Sequence, residues 1–218
     1  MSGRAVITGG AGHLARAAAH ELEAAGWHVD RPGREALDVL EENSVDAYFS
    51  ARPEPLDLLI ANAGVIDDRP VPSLTEASWD RVVGTNLRGA FLCARAALPL
   101  LRAARGQILF LGSRSARSGP AGQAAYAAAK AGLIGFSQSL AREWGPEGIR
   151  CNVVLPGFLE TRMTDSLTPE ARHRALEDHA LGRFNTPEEA ARGLALLATL
   201  KNVSGQVFQF DSRVDRWS

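Results

Sequence analysis

The stretch SRSARSGPAGQAAYAAAK, residues 113–130, carries three residues whose types and spacing suit proton transfer. Ser113 is followed by Tyr126, and Lys130 comes four places after the tyrosine. On a helix, Tyr126 and Lys130 are i and i+4 and share a face. A phenol with a pKa of about 10 is a poor acid or base at neutral pH. A neighbouring ammonium stabilises the phenolate and draws that value towards the working range. A serine hydroxyl beside them hydrogen-bonds a carbonyl or alcohol oxygen. Together they suit proton transfer to oxygen while hydride moves to or from the adjoining carbon. An isolated tyrosine–lysine pair at this spacing more often packs a ring and extends a lysine to solvent. The strand before Ser113 and a glycine turn near the N-terminus shift the balance to chemistry.

That turn is TGGAGHLA, residues 8–15. Glycines between a first strand and a first helix allow a tight turn and close backbone approach to a pyrophosphate. The helix N-terminus then offers amide donors and a positive end.

The elements that position both motifs alternate along the chain. RAVIT (4–8), a short WHV, IRCNVVLPG (149–157) and GQVFQF (205–210) read as strands, LDLLIANAG (56–64) contains a continuous apolar one, and GQILFLGS (106–113) reads as a buried one. Helical patterns lie between them at 14–26, 78–104, 123–145 and 187–200, the second bent near Thr85 to Gly89. Apolar strands separated by helices predict a doubly wound, mostly parallel α/β sheet with helices on both faces, the Rossmann architecture, as one domain over residues 1–218. Between Gly26 and Leu58 there is room for a stub of strand and one helix, ENSVDAYFSA. A crossover with its helix takes at least about ten residues. One crossover is therefore expected to be a loop, at DRPGREALDV, so the second-strand and third-helix region is shortened.

The 218 residues are 45% hydrophobic and 22% charged, with a formal net charge of -1. This is a globular composition with no basic block for nucleic acid or an anionic membrane. No apolar run reaches membrane-spanning length. The start MSGRAVITGG enters a strand without an apolar signal segment, which makes the cytoplasm the expected compartment. Cys93 and Cys151 read as buried free thiols, and no Cys/His cluster has metal-ligand spacing.

These motifs together resemble the short-chain dehydrogenase/reductase family, in particular its bacterial 3-oxoacyl-carrier-protein reductases, over nearly the whole chain. TGGAGHLA stands where the family has its T-G-x-x-x-G-x-G turn, bringing Gly9, Gly12, His13 and Leu14 to the cofactor. Asn62, Ala63 and Gly64 resemble the motif that supports that turn. LDV resembles the strand end that meets the adenine ring, through Asp38 and Val39. TNLRGAF supplies Asn86, which in the family bends a helix and holds a water of the proton relay. PGFLETRM resembles the nicotinamide loop, with Pro156, Gly157 and Thr161, the last on the carboxamide. The resemblance implies that Tyr126 gives a proton to a carbonyl oxygen, Lys130 lowers the tyrosine's pKa and binds the nicotinamide ribose, and Ser113 orients the substrate oxygen. It further implies NAD or NADP as cofactor, a small-molecule carbonyl or alcohol substrate, and a homodimer or homotetramer built on the helices near 86–104 and 123–143.

The chain departs from the family pattern in places. His13 and Ala15 replace two glycines of the turn. Asp30 after the second strand favours NAD by accepting from the adenosine ribose, whereas Arg31 and Arg34 suit the 2'-phosphate of NADP. Arg114 and Arg117 beside the serine either meet an acidic group or are solvated. Residues 158–185 are expected to form a substrate cover with a helix in LTPEARHRALEDHA, and His173 and His179 read as surface residues. Ser212 and Arg213 replace a small turn at the pocket rim. An NAD(P)-dependent oxidoreductase is the favoured reading. The alternatives are a dimerising structural or regulatory protein on the same fold and a non-redox lyase or isomerase.

Overall fold

The computed structural model describes residues 3–159 and 168–214. Six parallel strands form one sheet in the order β2-β1-β3-β4-β5-β6. They are β1 (Arg4–Ile7), β2 (His28–Asp30), β3 (Leu58–Ala61), β4 (Gln107–Leu111), β5 (Arg150–Leu155) and β6 (Val207–Gln209). Helices α1 (His13–Ala24) and α8 (Pro187–Thr199) pack on one face, and α2 (Glu42–Ser50), α4 (Gly89–Ala104) and α6 (Ala124–Trp144) on the other. This is the expected doubly wound Rossmann-type sheet. It explains why strand alternation was absent from the sequence: every residue of β3, β4 and β5 is buried. Leu59, Ile108, Phe110 and Val153 fill one face, and Leu58, Ile60, Leu109 and Val154 the other.

The predicted shortening is present. Between β2 and α2, residues 31–41 form neither helix nor strand. Leu37 and Val39 from this loop are buried in the core, so an irregular segment still contributes apolar packing. The chain runs from β1 to β2 on one side and then to β3 on the other. The carboxyl ends of β1 and β3 therefore flank a topological switch point, where such sheets bind ligands.

The bend expected near Thr85 is a π-helical turn, Gly84–Arg88, joining α3 (Glu76–Val83) to α4. Gly89 faces Val39, and a Cβ there would lie 2.8 Å from a valine methyl. Thr75 caps α3 and Thr186 caps α8 through side-chain oxygens, at Ser78 N and Glu189 N. The short helix α5 (Ser115–Ser118) follows β4, and α7 (Pro169–Glu177) lies within the expected cover. No helix among the described residues is long and apolar enough to cross a membrane. Cys93 and Cys151 are buried free thiols, each pushed up to about 12 by desolvation.

Candidate active site

The loops after β1 and β3 are tied together at the switch point. Thr8 Oγ1 accepts from Asn62 N and Ala63 N, both at 3.0 Å, and Asn62 Nδ2 donates to Thr8 O at 2.9 Å. Gly9 has φ +67, and a Cβ on it would stand 2.9 Å from Ala63 Cα. Glycine is required there on both counts. Gly10 N donates to Pro32 O at 2.9 Å and leaves no room for a side chain against Arg31. The turn ends at Gly12, the N-cap of α1. That cap has no side-chain hydrogen bond and no acidic residue follows in the first turn. The first amides of α1 are thus left for an external acceptor, with the helix dipole favouring an anion.

A cavity of about 730 Å³ extends from this turn to the tyrosine. Gly9, Gly12, His13 and Leu14 line one end, and Ser113, Tyr126 and Lys130 line the other, with Asn62, Ala63 and Gly64 between. His13 is exposed and borders the cavity, whereas Ala15 is 1% exposed and packs in the α1–sheet core. The two departures from the glycine pattern therefore differ in kind. Ala15 replaces a packing contact, and His13 adds a side chain at the cavity edge.

Ser113 lies two residues beyond the end of β4 and lines the cavity beside Tyr126, close enough to the phenol to act on its pKa. Lys130 is 4% exposed; its Nζ lies 5.6 Å from the centre of the Tyr126 ring and donates to Leu111 O at 2.6 Å. Desolvation draws the Lys130 pKa down to about 8. Tyr126 stands above the ordinary phenol value, opposite to the direction that the lysine neighbour led us to expect. Burial is the main cause, the Ser113 contact opposes it, and the Asp68 charge adds to it. Asn86, 1% exposed in the π turn, is held by both ends of its amide: Oδ1 accepts from Val65 N at 2.8 Å and Nδ2 donates to Val65 O at 2.9 Å. Bare Gly64 lets it approach, since a Cβ there would lie 3.1 Å from Asn86 Oδ1 and 3.7 Å from Lys130 Nζ.

The comparisons with known proteins agree with this geometry. A family model described as enoyl-(acyl carrier protein) reductase matches residues 5–212. The chain belongs to the short-chain dehydrogenase/reductase family. It is 39% identical over 168 residues to a 3-oxoacyl-(acyl-carrier-protein) reductase of Vibrio cholerae, covering 75% of this chain and 69% of that protein. The reductase of the same description from Escherichia coli is 35% identical over 217 residues, with 89% of each chain covered. That of Mycobacterium tuberculosis is 34% identical over 227 residues, covering 97% of this chain and 92% of its own. Short-chain dehydrogenases/reductases transfer hydride with NAD or NADP, so the chain is placed among NAD(P)-dependent oxidoreductases of the ketoreductase type.

Other residues singled out from the sequence are distributed less simply. Pro156 and Gly157 line the cavity, and Gly157 has φ +94; Thr161 lies outside the described residues. Asp30, Asp38 and Val39 do not line the cavity. Asp30 Oδ2 is 3.4 Å from an Arg4 nitrogen and 3.5 Å from Arg52 Nε. The Asp38 carboxylate accepts from Leu40 N at 3.0 Å and from Arg34 Nε at 2.9 Å, and these bonds outweigh desolvation to hold it below the usual carboxylate range. Val39 is core. Arg31 is exposed and donates to Gly10 O at 3.1 Å.

His179 corrects an expectation. His173 is exposed as anticipated, but His179 is buried at 4%. Its Nδ1 lies 2.8 Å from the Ala175 carbonyl oxygen, and its ring meets Phe158 and Phe184 edge-on. Phe184 lies five residues after His179 and Phe158 twenty-one before it, so no local period marked the histidine as core. Arg114 pairs with Asp178 at 2.9 Å and so joins the serine loop to the end of α7. Arg213 lines the cavity while its Nε donates to Asp211 Oδ2 at 2.7 Å. Sequence reasoning missed Asp68, Ser115 and Gln123, which also line the cavity. Their one signal was the place of Gln123 three residues before Tyr126.

Proposed function

We propose that this protein reduces the ketone of a 3-oxoacyl thioester to a secondary alcohol, with NADPH as the preferred cofactor. The observation that carries the reading is that Ser113, Tyr126 and Lys130 line one end of a cavity whose other end is an uncapped helix N-terminus. Two protic groups meet where one substrate oxygen can sit, and the pyrophosphate has backbone donors within the same cavity. When bound, NADPH supplies hydride to the carbonyl carbon. Ser113 orients the oxygen and Tyr126 gives it a proton. Lys130 holds the nicotinamide ribose and, with Asn86 and a water, returns a proton from solvent. Gly9, Gly12, His13 and Leu14 hold the pyrophosphate, Asn62 to Gly64 hold the adjoining ribose, and Pro156, Gly157 and Thr161 face the nicotinamide.

The thioester class is supported by the similar proteins of Vibrio cholerae, Escherichia coli and Mycobacterium tuberculosis, which are 3-oxoacyl-(acyl-carrier-protein) reductases. The NADPH preference rests on charge. The Asp30 carboxylate is engaged by Arg4 and Arg52, and the exposed cation next to it in sequence is Arg31. We further assign residues 1–218 to one domain with a cover at 158–185, acting in the cytoplasm as a homodimer or homotetramer. The exposed Phe91 ring on α4, in edge contact with Phe136 of α6, is where the helix-paired subunit contact is placed.

Calorimetric titration with NADPH and NADH, followed by NADPH oxidation with 3-oxoacyl and 2-enoyl thioesters, tests the reading. It holds if NADPH binds and only the ketone is reduced in a Tyr126-dependent manner. A folded sample that binds neither cofactor moves the assignment to a non-catalytic dimerising protein.

A further inference from the structure

Beyond the tyrosine and lysine, a chain of polar side chains runs from the reactive oxygen to a surface carboxylate. The Ser113 hydroxyl lines the cavity beside the Tyr126 phenol and donates to Ser115 Oγ at 3.2 Å. Ser115 Oγ donates to Gln123 Oε1 at 2.7 Å, and Gln123 Nε2 donates to Asp68 Oδ2 at 2.7 Å. A carboxylate can only accept, so it selects the amide face of Gln123 and turns the carbonyl towards Ser115. That carbonyl also only accepts, which commits the Ser115 hydrogen to it. Ser115 Oγ is then left as an acceptor for Ser113, and this orientation withholds from the phenolate the Ser113 hydrogen that would lower the Tyr126 pKa. Ser115 N donates to Ser113 Oγ at 3.2 Å and reinforces this orientation.

Asp68 is held in place for this task. Arg69 N donates to Gly122 O at 2.8 Å, which ties the loop after β3 to the residue before Gln123. Asp67 takes Arg69 and Arg81, at 2.7 and 2.6 Å, so those two cations are engaged by its carboxylate.

We propose that Asp68, acting through Gln123 and Ser115, fixes the direction of the Ser113 hydrogen and thereby makes Tyr126 hold its proton until a carbonyl oxygen displaces that arrangement. Asp68, Gln123 and Ser115 are positioning residues for the reaction. The proposal rests on the reading of Tyr126 as the proton donor and adds what keeps it loaded. The charged groups that share the cavity with the phenol are Lys130 on α6, Asp68 after β3, Arg114 after β4, Arg213 near the C-terminus, and His13 and Arg16 on α1. Asp68 is the one of these whose charge opposes phenolate formation, in line with the raised pKa of Tyr126.

A test is available that needs neither cofactor nor substrate. The chain has two tyrosines, Tyr48 and Tyr126. The Tyr48 hydroxyl is buried without a partner and its pKa is pushed up to about 12. Tyr48→Phe therefore leaves Tyr126 as the single phenol in an alkaline titration followed by ultraviolet difference absorbance. In that background Asp68→Asn is expected to lower the midpoint by roughly 0.5–1 pH, from loss of one charge near the surface dielectric. Ser115→Ala is expected to lower it as well, since the Ser113 hydrogen can then turn to the phenolate. Asp68→Glu restores the carboxylate and is expected to restore the midpoint. An unchanged or higher midpoint in both Asp68→Asn and Ser115→Ala overturns the proposal, because a purely structural role would not lower the titration. A protein that reduces no ketone but shows the shifts keeps the network and loses the assigned reaction. An active ketoreductase without the shifts loses only the network.

Discussion

Lys130 Nζ donates to the Leu111 carbonyl oxygen at 2.6 Å, inside the fold, where the ammonium is 4% exposed as a residue. One backbone acceptor compensates little of the hydration that the charge loses. The folded pKa accordingly falls from 10.5 to about 8.

The sign of the consequence is fixed by proton counting. Between pH 8 and 10.5 the unfolded chain still holds the Lys130 proton and the folded chain has released it, so stability from this group rises with pH across that window. Below the window the full penalty applies, of order 3 kcal/mol. Lys130→Met is expected to be more stable than the parent at pH 7 and to lose this slope, in urea unfolding measured at pH 7, 8.5 and 10. Turnover should fall by at least about 100-fold if Lys130 has the proposed role of binding ribose and conducting the proton. A variant of unchanged pH slope would contradict the buried-ammonium account.

Asn86 gives a prediction of the opposite sign. Its side chain satisfies Val65 N–H and C=O from within the π turn. Asn86→Ala leaves both groups, on the half-buried Val65, without that partner. We expect a loss of about 2–4 kcal/mol in urea unfolding, from two unmade hydrogen bonds. Circular dichroism should show the sheet retained. A cost below about 0.5 kcal/mol would mean that solvent replaces the amide freely.

Much of this molecule was legible in its sequence, for reasons that differ by region. The strands and long helices followed from apolar runs, Gly26 and Gly145 as helix stops, and Pro187 at a helix start. The loop at residues 31–41 was readable because too few residues were present for a helix crossover. Ser113, Tyr126, Lys130 and the glycine turn meet in one cavity because the carboxyl edge of a parallel sheet brings distant loops together. What stayed hidden was set by tertiary contact. Nothing in EDHAL marks His179 as buried under Phe158 and Phe184. Nor does the spacing of Asp68 and Gln123, fifty-five residues apart, announce a hydrogen bond. The direction of the tyrosine shift was misjudged because i and i+4 spacing supplies a neighbour but not its degree of desolvation.

The proposed preference for NADPH is tested at Arg31. Arg31 is exposed, next to the carboxylate that Arg4 and Arg52 engage. Arg31→Ser is expected to weaken NADPH binding about tenfold, the loss of one charge-assisted contact, and to leave NADH binding within twofold. Paired calorimetric titrations at one ionic strength check this. Equal loss for both cofactors would assign Arg31 to the glycine turn, through its bond to Gly10 O, and not to the 2'-phosphate.

The two departures in the glycine turn should separate experimentally. Ala15 is 1% exposed, in the cluster that joins α1 to Ile7 and Ile60 of the sheet. Ala15→Gly removes a buried methyl and loosens a helix interior, which together cost about 1–2 kcal/mol. It adds no space at the cavity, so NADPH affinity should stay within twofold. His13→Gly reverses this pattern. The side chain is exposed at the cavity edge and contributes little to folding. Its removal should leave the unfolding midpoint within the range of an ordinary surface change, while the NADPH dissociation constant moves by threefold or more. If Ala15→Gly alters cofactor affinity more than His13→Gly does, then helix–sheet spacing, and not the cavity edge, sets how the turn receives pyrophosphate.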